Sequence, residues 1–129
     1  MEENDIGTMV VDAAIRVHRE IGPGLLESVY EIILAHELRA RGLHAVRQVP
    51  ITISYRGQKF DEGFRADILV ENKLIVELKC VERLNNSHRK QLLTYLRLSG
   101  MRLGYLLNFS GTLMKNGITR TVNLLAEQG

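Results

Sequence analysis

The most informative stretch of the chain reads Arg65-Ala-Asp67-Ile-Leu-Val70-Glu-Asn-Lys73-Leu74-Ile-Val-Glu77-Leu-Lys79. Two aliphatic runs flank the polar Glu71-Asn72-Lys73, so the segment predicts one strand from about Gly63 to Val70 and a second from Leu74 to about Val81, joined as a hairpin. If Val70 faces Leu74 across that loop, Asp67 stands opposite Glu77, with Cβ atoms about 5 Å apart. Lys79, two residues beyond Glu77, points to the same face, while Ile68, Val76 and Leu78 point to the other. A loop one residue shorter would put the two carboxylates on opposite faces.

Two carboxylates this close repel and raise at least one pKa unless a cation lies between them. A divalent ion resolves the conflict. Hard oxygen donors suit Mg²⁺ or Mn²⁺, and Mg²⁺ keeps several waters while accepting a substrate phosphate. The adjacent Lys79 would add a compact positive charge near the attacking water or the phosphate. The plainer reading is a solvated hairpin with a charge cluster that contributes little. The apolar surroundings of the motif favour the metal reading.

Upstream, Ile6, Val10, Ala13, Ala14, Val17 and Ile21 recur at helical spacing. Thr8 or Asp5 is the expected cap, and Gly22-Pro23 the stop. A second helix is expected from just after Gly24 to about Arg41, before Gly42. Leu25, Leu26, Val29, Tyr30, Ile32, Ile33, Leu34 and Leu38 make it apolar over most of its girth, as in a helix packed on several sides. Val49, Ile51, Ile53 and Tyr55 then alternate with polar residues, predicting one strand that turns at Arg56-Gly57. Pro50 places that strand at an edge or makes it a strand start.

Downstream, a third helix is expected from about Asn86-Ser87 to Ser99-Gly100, burying Leu92, Leu93 and Leu96. Leu103 to Phe109 is nearly all apolar, as in a strand covered on both faces. A turn at Asn116-Gly117 precedes a further candidate strand, Ile118 to Leu124. The order is helix, helix, three strands, helix, strand, with one more strand possible at the end. It predicts a mixed sheet flanked by helices, and the link through the third helix is long enough for a crossover between parallel strands.

Composition sets the outer limits. The 129 residues, 45% hydrophobic and 25% charged, fit one soluble domain spanning 1–129. One cysteine, Cys80, excludes an intrachain disulfide, and the scattered histidines make no zinc pattern. The acidic start lacks the order of a signal peptide, and no apolar run reaches the length of a membrane span. A cytoplasmic protein is the expectation. The formal charge of +2 is lower than that of a typical non-specific nucleic-acid coat, so any nucleic-acid contact must come from the arrangement of groups such as Arg65, Arg83, Arg89, Lys90 and Arg102. No phosphate-binding glycine loop of motor or dinucleotide type is present.

R-A-D-I-L-V followed by L-I-V-E-L-K resembles the divided signature of the PD-(D/E)xK nuclease superfamily, with Ala66 in the place of the proline. Gly24-Leu-Leu-Glu27-Ser-Val-Tyr30 resembles the motif that names the GxxExxY family of that superfamily. Q-V-P-I-T-I-S-Y-R-G (48–57), Q-L-L-T-Y (91–95) and G-Y-L-L-N-F (104–109) extend the likeness over nearly the whole chain.

The resemblance implies a restriction-endonuclease-like α/β fold and metal-dependent cleavage of DNA or RNA. It implies that Asp67 and Glu77 are metal ligands, that Lys79 is the catalytic lysine, and that Glu27 completes the site through metal or water. Without it, Glu27 reads as a first-turn glutamate favoured by the helix dipole. Gln91 and Tyr95, on one helix face, match a Q-x-x-x-Y element that places the lysine or the nucleic-acid backbone. The alternative for the pair is a polar residue beside a core tyrosine. His88 reads as a lone surface histidine, Tyr30 as a core residue with its hydroxyl bonded near Glu27, and Cys80 as structural packing. The competing functions are a binding module that holds nucleic acid without cutting it and a protein-interaction subunit, including a homodimer through the edge strand near Pro50.

Overall fold

The computed structural model describes residues 1–124. Two helices, α1 (Glu3–Ile21) and α2 (Glu27–Ala40), precede β1 (Ala45–Pro50), β2 (Ile53–Tyr55), β3 (Gln58–Phe60), β4 (Arg65–Val70) and β5 (Leu74–Lys79). Helix α3 (Asn86–Ser99), β6 (Leu103–Asn108), a short 3-10 turn (Met114–Gly117) and β7 (Ile118–Val122) follow. The main sheet has five strands in the order β1-β4-β5-β6-β7. All its pairs are antiparallel except β5 with β6, the pair bridged by α3. This is the mixed sheet flanked by helices that the sequence predicts.

Alternation in β4 and β5 divides the core in two. Ile68, Val70, Val76 and Leu78 join Ile6, Val10, Tyr30, Leu34 and Leu38 in a cluster beneath α1 and α2. Leu69, Ile75 and Leu106 join Leu92 and Leu96 in a second cluster beneath α3. Every residue of β6 is buried, as expected for a nearly all-apolar run. Truncating a central residue such as Leu78 to alanine would cost about 2–5 kcal/mol.

Four details differ from the sequence reading. Helix α1 begins at Glu3, and neither Asp5 nor Thr8 caps it. The Thr8 hydroxyl donates back to the Asn4 carbonyl at 3.0 Å, and the acidic Glu3 and Asp5 in the first turn suit the positive end of the helix dipole instead. Helix α2 packs on one side only, so Ile32 faces out, and Leu25 and Leu26, expected within the helix, lie exposed in the turn before it; apolar content overstated its burial.

The strand expected through Val49–Tyr55 is broken, which adds a strand pair to the expected order. Proline lacks an N–H for the ladder, and β1 ends at Pro50 on the sheet edge. Ile51 then turns into the core, and Ile53–Tyr55 leaves the sheet to pair with Gln58–Phe60 as a separate ribbon. Arg56 and Gly57, both at positive φ, form its two-residue turn. Finally, β5 stops at Lys79 and not near Val81. Beyond it the Asn108 side chain bonds both the N–H and the carbonyl of Val81 and holds the chain in place of a ladder.

Candidate active site

The hairpin between β4 and β5 has the register that the loop length predicts: Val70 pairs with Leu74, Leu69 with Ile75 and Ile68 with Val76. Glu71 and Asn72 take left-handed backbone angles, and the Lys73 N–H closes the turn onto the Val70 carbonyl. One step past Ile68–Val76 the carboxylates enter the ladder. Glu77 Oε2 accepts the Asp67 N–H at 2.8 Å, and Asp67 Oδ2 accepts the Leu78 N–H at 2.8 Å. Each acid is thus fixed by the backbone of the opposite strand, and the strand ends open around them.

The electrostatics follow from that crowding. Burial, and then the charge of Asp67, push the Glu77 carboxyl up to about 8, against the Asp67 N–H and Lys79, which favour its charged form. Burial also raises Asp67; the Leu78 N–H opposes that, the charge of Glu27 adds to it, and Lys79 and Gln48 offset it. A pair of this kind holds a proton or a cation between its oxygens at neutral pH. A cavity of about 520 Å³ between the C-terminal end of α1 and residues 112–115 does not include these acids.

Glu27 opens α2 at the end of β5. Its Oε2 accepts the Cys80 N–H at 3.1 Å, within Coulombic reach of Asp67. It is not gathered with Asp67 and Glu77: among the described residues no three His, Cys, Asp or Glu side chains converge as a metal-binding group. The motif around Glu27 has a local explanation. Gly24 adopts φ +115, which side-chain-bearing residues rarely take. The buried Tyr30 hydroxyl donates to the Gly22 carbonyl at 2.5 Å and accepts the Leu25 N–H at 3.2 Å. Its ring stacks on Phe109 at 4.6 Å. Tyr30 therefore staples the turn that aims Glu27 at the strand end, and its hydroxyl bonds the turn backbone and not Glu27.

On α3, Gln91 is exposed, and the half-buried Tyr95 ring stacks on Phe64 at 3.7 Å, just ahead of β4. His88 serves the fold, completing a capping box with Asn85 at the start of the helix. Cys80 packs partly against the core, and burial raises its thiol, as befits an inert residue.

Three polar residues near the site escaped the sequence reading. Gln48 on β1 approaches Asp67, Glu31 is buried beneath it, and Asn108 pairs with Lys79 across β5 and β6. Glu31 and Asn108 carried a signal, since each interrupts an apolar run. Gln48 had only its position on the strand next to Asp67 and its place at the head of the family-like segment 48–57. It lies at φ +55, a backbone state that costs a non-glycine residue about 1–3 kcal/mol.

A family model, that of the PD-(D/E)XK nuclease superfamily, matches residues 4–121. The crystal structure of a protein designated SSO0001 is similar over 91% of this chain and 67% of its own, with a TM-score of 0.51 and 19% identity, a likeness of fold alone. No curated protein matches the sequence.

Proposed function

Since the chain belongs to the PD-(D/E)XK nuclease superfamily, we propose that it is a divalent-metal-dependent nuclease that hydrolyses phosphodiester bonds in DNA or RNA, and that it is of the GxxExxY type. The observation that carries this reading is the pair of adjacent, backbone-fixed carboxyls of Asp67 and Glu77, within electrostatic reach of each other and of Lys79. Their donor set fits Mg²⁺ or Mn²⁺: two hard carboxylates whose mutual repulsion a cation relieves, with the remaining positions left to water and phosphate. Asp67 and Glu77 would hold the ion, and Glu27 would act from the rim through water. The whole chain, 1–129, is read as one such domain working in the cytoplasm.

Bound there, the ion would supply Lewis-acid stabilisation of charge on the phosphate. The protein's own groups do the rest. The Leu78 and Asp67 amides hold the two carboxylates without needing rearrangement, and Lys79 offers positive charge to the phosphate or the attacking water. Gln91 on α3 would track the backbone, with Tyr95 as its anchor on Phe64. A second reading, a module that binds nucleic acid without cutting it, draws on the failure of Glu27 to converge with the other two acids.

The test compares wild type, Asp67→Ala and Lys79→Ala on labelled single- and double-stranded DNA and RNA, with and without Mn²⁺. Wild type cuts only with the ion. Lys79→Ala retains Mn²⁺ binding but cuts about 10²–10³-fold more slowly, and Asp67→Ala loses both. Metal-independent binding without cleavage across the panel would select the second reading, and cleavage surviving both substitutions would refute the residue assignment.

A further inference from the structure

Four non-glycine residues through β7 have positive φ: Gln48, Arg56, Glu71 and Asn72. The last three sit in hairpin turns, where such angles are ordinary. Gln48 does not. It lies inside β1, between the pairs Arg47–Ile68 and Val49–Ala66, at the place where the register sets it opposite Asp67. Its side chain has clear partners. Nε2 donates to Glu31 Oε1 at 2.8 Å and approaches Asp67 Oδ1 at 3.4 Å. Glu31 is 5% exposed, and its other oxygen accepts from Arg47 Nε at 2.8 Å.

Only one end of a glutamine amide carries hydrogens, and two carboxylates can share that end only as acceptors. The Glu31–Arg47 pair therefore dictates which way the Gln48 amide turns, and the amide in turn presents its second hydrogen to Asp67. With Oδ2 held by the Leu78 amide, Asp67 is constrained at both oxygens. Strained backbone persists where the surroundings over-determine it, and here what surrounds it is the candidate metal ligand.

We propose that Gln48, oriented by Glu31, is a positioning residue that sets the Asp67 carboxylate for the divalent cation. The inference rests on the metal reading of Asp67 and Glu77 given above. Supporting groups of this kind typically change metal affinity by about 10–100-fold. A residue that served only the strand would change folding stability without a selective effect on the ion.

The experiment measures Mn²⁺ binding calorimetrically, with melting temperature alongside, for wild type, Gln48→Met, Gln48→Gly and Asp67→Asn. Methionine keeps the length without a donor; glycine removes the side chain and also releases the backbone strain. Both Gln48 variants should melt within a few degrees of wild type yet bind Mn²⁺ at least about tenfold more weakly. If Gln48→Met does not fold, Gln48→Gly decides. Wild-type Mn²⁺ affinity in the Gln48 variants, with Asp67→Asn impaired, would overturn the proposal and leave the metal site standing. Affinity lost only in step with melting temperature would make Gln48 structural and also overturn it. Wild type that binds no Mn²⁺ would remove the metal reading itself, and this inference with it.

Discussion

Glu77 illustrates how one residue's surroundings set a measurable property. Burial and the Asp67 charge hold its carboxyl up at about 8 in the folded protein, against an ordinary value of 4.5. Between those values the folded state keeps a proton that the unfolded chain has lost, so stability falls as pH rises through that window. Below about 4.5 the contribution is fully present; above about 8 it is gone. In a chelator, metal-free wild type should therefore lose more stability between pH 5 and pH 8 than Glu77→Gln, which cannot ionise. At pH 8 the variant should melt about 5 °C or more above wild type. Scanning calorimetry at the two pH values checks this, and equal slopes would mean that Glu77 is ionised throughout. At this scale the sequence made the Asp67–Glu77–Lys79 juxtaposition legible, because strand period and loop length are local rules. It hid Gln48 and Glu31, because their contact depends on how α2 and β1 pack against each other.

Elements were legible where one rule governed them and obscure where two competed. The hairpin β4–β5, the crossover through α3 and the buried β6 follow from period, turn chemistry and apolar content. At Val49–Tyr55, alternation argued for one strand while Pro50 argued for an edge position or a strand start; β1 does lie at the edge, but it stops at that proline. In α2, apolar abundance suggested packing all round, but only one face meets α1 and the sheet. The outward Leu26 belongs to the turn before α2, which Tyr30 fastens. Removing that hydroxyl as Tyr30→Phe keeps the stacking on Phe109 but leaves the Gly22 carbonyl and the Leu25 N–H without their partner. The expected cost is about 1–2 kcal/mol, read by urea unfolding. Amide exchange should quicken at Leu25 and at Cys80, whose N–H Glu27 covers. Unchanged exchange at Cys80 would show that Glu27 is held without the staple.

Over the whole molecule, 17 basic against 15 acidic groups leave little net charge to attract a polyanion, so on the proposed function nucleic-acid engagement depends on how the basic groups are arranged. No helix among the described residues is long and apolar enough to cross a membrane. Folding and ion binding should then be linked through the same two acids, because only the folded chain brings Asp67 and Glu77 together. An ion at about 100 times its dissociation constant adds about 2.7 kcal/mol, which for a chain of this length corresponds to a melting shift of roughly 10 °C. The proton on the pair competes with the ion, and binding must expel it. The Mn²⁺-induced shift should accordingly be small at pH 5 and large at pH 8, and it should vanish in Asp67→Ala at both. A shift of equal size at the two pH values, or one that survives Asp67→Ala, would place the stabilising ion elsewhere on the protein.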